Sequence, residues 1–175
     1  MTNEERRAFL EDKVDYLIEI PFTREMMEME AEKFIEEILY KKLHASHIVV
    51  GTDFNFGHEK RGNHQMLEKY AAKYGYTVDV VEKAYYKDRE ISSTYIRELL
   101  LDGNVPLANE LLGYPYEITS VVEHGQQLGR TLGFPTMNLA PQEKKILPKY
   151  GVYACRVLVD GVWYGGVGNA GAKPT

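Results

Sequence analysis

Glycine is absent from the start of this chain and crowded towards its end. None of the 15 glycines lies in residues 1–50, and nine lie in residues 125–171. Glycine weakens helix interiors and opens tight turns that other residues avoid. The chain therefore divides into a first part suited to helices and a last part suited to short strands joined by turns. A uniform bundle and a uniform repeat are both excluded.

Hydrophobic periodicity sharpens the division. Residues 3–13 are expected to be helical. Val14-Asp15-Tyr16-Leu17-Ile18-Glu19-Ile20 is expected to form a buried strand, stopped by Pro21. Phe34, Ile35, Ile38, Leu39 and Leu43 recur at helical spacing within residues 29–43. His47-Ile48-Val49-Val50 predicts a strand running into Gly51, residues 63–74 a helix ended by Gly75, and Thr77-Val78-Asp79-Val80-Val81 another strand. Helices are expected at 93–102 and 105–112. Strands alternating with helices favour an α/β fold with a parallel sheet, which binds ligands at the carboxyl ends of its strands.

Gly113-Tyr114-Pro115 marks a boundary between units 1–113 and 114–175. Beyond it, strands are expected at 116–124, 134–139, 151–159 and 162–168, with Asp160-Gly161 as a hairpin turn. About 60 residues are few for a closed barrel, so open strand edges are expected.

Composition closes off several classes. With 1 Cys there is no internal disulfide and no multi-cysteine zinc site. No apolar run approaches the ~18 residues of a membrane span, and the first residues carry no secretory signal, so cytoplasm is the default location. Residues 1–44 hold 12 acidic and 7 basic side chains, which accounts for the whole net charge of -5. No basic stripe marks a nucleic-acid partner. A small anionic ligand stays open, because backbone N–H groups bind phosphate. Oligomeric state is not legible.

Four segments invite a chemical reading. Gly51-Thr52-Asp53-Phe54-Asn55-Phe56-Gly57 follows a strand, and its two phenylalanines either form a platform for a planar ring or fold back onto the core. Ile91-Ser92-Ser93-Thr94-Tyr95-Ile96-Arg97 leads into a helix. Its hydroxyls and free N–H groups make an anion cradle that Arg97 can reach, or simply a serine cap beside a surface arginine. Gly125-Gln126-Gln127-Leu128-Gly129-Arg130-Thr131-Leu132-Gly133 fails the P-loop template in spacing, in its Arg, and in the Phe134-Pro135 that follows. It is a Gly-spaced flap between strands. Thr136 and Asn138 then offer hard oxygen donors suited to Mg²⁺, or a plain polar strand face. Gly166-Val167-Gly168-Asn169-Ala170-Gly171 matches a dinucleotide fingerprint in letters only, with no helix to follow. His44 and His47 lack companions for a metal, and Cys155 is expected to fill space in a strand.

Taken in order, these segments resemble the bacterial bifunctional FAD synthetases, in which an FMN adenylyltransferase module precedes a riboflavin kinase module. The resemblance is carried by 50–57, 91–97, 129–138, Leu147-Pro148-Lys149-Tyr150-Gly151-Val152-Tyr153-Ala154 and Gly171-Ala172-Lys173-Pro174-Thr175. It implies a partial Rossmann-like nucleotidyltransferase module followed by a partial, small antiparallel β-barrel kinase module. It implies flavin contacts at Asp53, Phe54 and Phe56. Nucleotide contacts are implied at Ser92, Ser93, Thr94, Arg97, Gly125, Gly129, Arg130 and Gly133, with Arg97 stabilising phosphate charge. Mg²⁺ is implied at Thr136 and Asn138. ATP, riboflavin and FMN would be substrates and FAD the product. Met137 stands where the family more often has Ala. The family's paired histidines in H-x-G-H spacing do not occur here, and its catalytic Glu lies downstream of the Lys-Pro-Thr segment. The chain is thus expected to be the middle of a longer enzyme, with little activity alone. A non-catalytic flavin- or nucleotide-binding module and a nucleotidyltransferase for another substrate are the competing readings.

Overall fold

The computed structural model describes residues 1–123, 131, 133, 136–143 and 145–171. The chain forms two compact units, one of Ile18–Glu90 and one of Met1–Leu17 with Ile91–Thr175.

In the unit Ile18–Glu90, strands β1 (His47–Gly51) and β4 (Thr77–Val81) pair in parallel, with His47 opposite Thr77 and Gly51 opposite Val81. Parallel neighbours need a crossover, and helix α4 (His64–Tyr74) supplies it. Asn63 caps α4 by accepting a hydrogen bond from the Met66 N–H at 3.0 Å, and Gly75 ends it in the left-handed region. The expected helix over 29–43 is α3 (Ala31–Lys33), which widens into a π-helical stretch, Phe34–Lys42. Its last turn is closed by the Leu43 N–H on the Ile38 carbonyl, five residues back. That widening buries Ile35 and Ile38 but leaves Leu43 40% exposed. Ala31, Ile35, Phe56, Leu67 and Tyr76 form the core. The Tyr76 hydroxyl is satisfied by donating to the Leu67 carbonyl.

The expected strand at 14–20 is not formed. These residues are exposed, Tyr16 at 86%, and pair with no strand among the described residues. A strand's N–H and C=O groups need a neighbour's, and apolar composition alone does not supply one. The first expected helix is also shorter: α1 spans Asn3–Leu10.

In the other unit, helices α5 (Ser93–Asp102) and α6 (Val105–Leu112) begin at Ser92 and Asn104 and end at Gly103 and Gly113, as their cap residues predict. They bury Ile96, Leu99, Leu100 and Ala108 together. Strands β9 (Gly151–Val159) and β10 (Val162–Ala170) make an antiparallel hairpin. Asp160 and Gly161 turn it with φ of 47° and 80°, the positive pair that a type I′ turn requires. The glycines of 166–171 thus belong largely to a strand. Cys155 is half-buried, with Gly166 as its cross-strand partner. Strands β7 (Val122–Glu123) and β8 (Asn138–Leu139) are shorter than the expected 116–124 and 134–139. Residues before Val122 are used otherwise: the Tyr116 N–H donates to Asn109 and its hydroxyl to the Ile146 carbonyl, both at 2.7 Å.

Helix α1 is fastened by a part-buried ion pair. Thr2 and Glu5 form a capping box, and Lys145 donates to both Glu5 carboxylate oxygens at 2.7 and 2.8 Å. The Lys145 side chain is only 4% exposed and lies over the Tyr116 ring. Burial pushes the Glu5 carboxyl up, but the bonds from Lys145 and the Thr2 N–H outweigh it, so it titrates below its ordinary 4.5. Burial, then the Glu5 charge, pushes the Tyr116 phenol up to about 12. A depressed carboxyl stabilises the fold above its unfolded value and stops doing so as pH falls through its folded one. Denaturation followed into the acid range is therefore expected to lose stability below 4.5. Glu5→Gln should flatten that part of the profile.

Candidate functional site

The loop after β1 is built by short-range bonds. The Phe54 N–H donates to the Gly51 carbonyl at 3.0 Å, and the Asn55 side-chain amide to the Asp53 carbonyl at 2.7 Å. Strand β2 (Asn55–Phe56) then pairs with β3 (Gly62–Asn63). The two phenylalanines separate in role. Phe56 is buried against Phe34 and Gly62, whereas Phe54 is half-buried and stacks on Phe56 with centroids 5.5 Å apart. Asp53 is exposed, and its carboxyl is held low by a hydrogen bond from Lys83.

Lys83 was not singled out from sequence. Its ammonium lies 3.0 Å from Asp53 and 2.8 Å from Glu90. Glu90 ends a hairpin of β5 (Tyr85–Tyr86) and β6 (Arg89–Glu90). A lysine among charged loop residues has no sequence mark that sets it apart. His47 is engaged locally, its ring nitrogens lying 2.6 Å from the Thr77 hydroxyl and 3.1 Å from Asp79.

In the other unit, Ser92 caps α5 by accepting from the Tyr95 N–H at 3.2 Å. Ser93, Thr94 and Arg97 are exposed on the first turn and a half. Ser92, Ser93 and Arg97 line the polar side of a cavity of about 720 Å³, whose apolar wall includes Phe9, Tyr114 and Leu111. Arg97 has no ion pair among the described residues. A helix start with unbonded N–H groups and an unpaired guanidinium suits an anion.

Thr136 is exposed, and Asn138 is half-buried at the start of β8, opposite Glu123. Gly133 takes a positive φ of 79°. Gly125, Gly129 and Arg130 lie outside the described residues.

The sequence model of the FAD synthetase family matches residues 1–95, and that of riboflavin kinase matches residues 112–175. The bifunctional riboflavin kinase/FMN adenylyltransferase of Escherichia coli strain K12 is 39% identical over 173 residues, covering 98% of this chain and 55% of that protein. Its counterpart in Haemophilus influenzae is 41% identical over 164 residues, covering 93% and 53%. The chain spans about half the length of the curated relatives it matches. A solved structure titled macrolide-efflux protein from Streptococcus pneumoniae aligns with a TM-score of 0.88 at 32% identity, covering 100% of this chain and 56% of that one. Among the described residues, no helix is long and apolar enough to cross a membrane.

Proposed function

Because the chain belongs to the FAD synthetase family, we propose that it carries parts of two ATP-dependent flavin sites. One phosphorylates riboflavin to FMN, and the other adenylylates FMN to FAD. Residues 1–113 serve the adenylyl transfer and residues 114–175 the phosphorylation. Strands β7 to β10 are part of a small antiparallel barrel. An enzyme supplied with ATP in this way works in the cytoplasm.

The observation that carries this reading is the loop at the carboxyl end of β1, where Phe54 lies half-buried on a buried Phe56. That is where a parallel α/β sheet takes its ligand, and a backed aromatic face suits the isoalloxazine ring. Phe56 supports the platform from the core, and Asp53 flanks it. Adenylyl transfer then brings the FMN phosphate onto the α-phosphorus of ATP and expels pyrophosphate. Ser92, Ser93, Thr94 and Arg97 bind and stabilise the phosphate oxygens as charge shifts among them.

In the kinase half, Thr136 and Asn138 would hold the Mg²⁺–nucleotide, and Gly125, Gly129, Arg130 and Gly133 are the nucleotide contacts expected from sequence. Both metal-directed side chains carry hard oxygen donors and neither is buried. This fits an ion that keeps several water and phosphate ligands. When bound, the ion neutralises phosphate charge.

Fluorescence titration tests the reading. The 175-residue chain is expected to quench FMN, and Phe54→Ala to weaken binding by about 1 kcal/mol, roughly fivefold. Unquenched FMN at saturating protein would remove the flavin assignment.

A further inference from the structure

The register of the parallel pair extends beyond its last hydrogen-bonded residues. Gly51 stands opposite Val81, and the Thr52 N–H still donates to the Val81 carbonyl at 3.2 Å. Two residues further along each chain come Asp53 and Lys83. Continued register makes them neighbours, and their side chains meet at 3.0 Å. Lys83 is the less exposed partner, at 29% against 68%. Its ammonium is held from the other side by Glu90, at 2.8 Å. Glu90 is anchored in turn by pairing with Tyr85 across the β5–β6 hairpin. The lysine therefore sits between a fixed carboxylate and one carried on a loop.

What hangs on Asp53 is the shape of that loop. The Asp53 carbonyl accepts the Asn55 amide, and the Phe54 N–H closes onto Gly51. Fixing residue 53 fixes the turn that presents Phe54. The Asp53 carboxylate also lies close over the end of β1, where a Cβ on Gly51 would stand 3.2 Å from it.

We infer that Lys83 is a positioning residue for flavin: anchored by Glu90, it pins Asp53 and so sets the loop that offers Phe54 to the ring. The inference rests on the flavin reading of this loop proposed above. Lys83 touches no ligand in this account and acts only through Asp53.

The test is a double-mutant cycle on FMN affinity, read by fluorescence quenching with the 175-residue chain. Lys83→Met and Asp53→Asn are each expected to weaken binding about threefold, less than the loss of the Phe54 ring itself, and the double variant no further, because both break one interaction. Lys83→Arg, which keeps the charge, should recover most of the affinity. Melting followed by circular dichroism accompanies each variant, and the melting temperatures are expected to differ little, since partly exposed ion pairs add little stability. If wild-type chain fails to quench FMN, the flavin reading falls and the inference with it. If wild type binds and Lys83→Met binds equally well, the clamp alone is refuted. Additive effects, or Lys83→Arg failing as badly as Lys83→Met, also overturn it.

Discussion

Gly57→Ala is expected to cost about 3 kcal/mol of stability, a large share of what holds a small domain together. Two separate effects meet at this position. Its φ of +74° with a ψ of 174° is a combination essentially reserved for glycine, where a Cβ costs about 1–3 kcal/mol. That Cβ would also stand 2.6 Å from the Ala31 Cα and 2.7 Å from the Ala31 nitrogen. Those are backbone atoms of a fully buried residue at the start of α3, and they cannot rotate aside. Forcing atoms into a packed site adds about 1–3 kcal/mol. Gly75 supplies the control. It has the same φ of +74° but a ψ of 27°, ordinary left-handed backbone, with nothing within 4 Å of an added Cβ, so Gly75→Ala should cost only the left-handed penalty, about 1 kcal/mol. Urea denaturation of the two variants separates them. Equal losses would mean that neither the contact with Ala31 nor the glycine-only backbone at Gly57 carries weight.

The readable parts of this fold were those with local signals. Helix α4 is bracketed by Asn63 and Gly75, α5 by Ser92 and Gly103, and α6 by Asn104 and Gly113. Each cap works within a few residues of the helix it ends. The β9–β10 hairpin was legible for a similar reason, since Asp160-Gly161 sets its turn and register. Where a structure depends on distant partners, the letters misled or fell silent. Residues 14–20 have strand composition, but composition does not provide the second strand. The stripe Phe34, Ile35, Ile38, Leu39, Leu43 assumes ordinary helical pitch, and π-widening turns Leu43 outward. Glu5 and Lys145 lie 140 residues apart, and their pairing leaves no periodic trace.

The candidate site followed the same pattern. The loop 51–57 and the Ser92-capped start of α5 stood out because both follow a strand and both carry residues that suit a ligand as well as an ordinary turn or cap. The division of labour between Phe54 and Phe56 did not, because one spacing serves both a platform and a core anchor. Burial decided it, and burial depends on Phe34 and Gly62. Lys83 needed the strand register itself before it could be seen.

Arg97 carries the second large effect. It is exposed on the first turns of α5, lines the cavity beside Ser92 and Ser93, and has no ion pair among the described residues. An exposed, unpaired guanidinium near a helix start breaks no existing ion pair when it meets phosphate. Removing one such donor from a developing anion lowers turnover by roughly 10²–10³-fold. Asn138 lies within the residues that match the riboflavin kinase model, the half proposed to serve phosphorylation. Two sites in one polypeptide predict that the two substitutions separate.

The direct measurement is product analysis of Arg97→Ala and Asn138→Ala in a polypeptide of the relatives' full length that contains this sequence. Each is given riboflavin with Mg-ATP and, separately, FMN with Mg-ATP. Arg97→Ala should turn riboflavin into FMN that accumulates without becoming FAD. Asn138→Ala should leave riboflavin unconverted while still making FAD from supplied FMN. Loss of both conversions to the same degree in both variants would contradict the assignment of two sites to this chain.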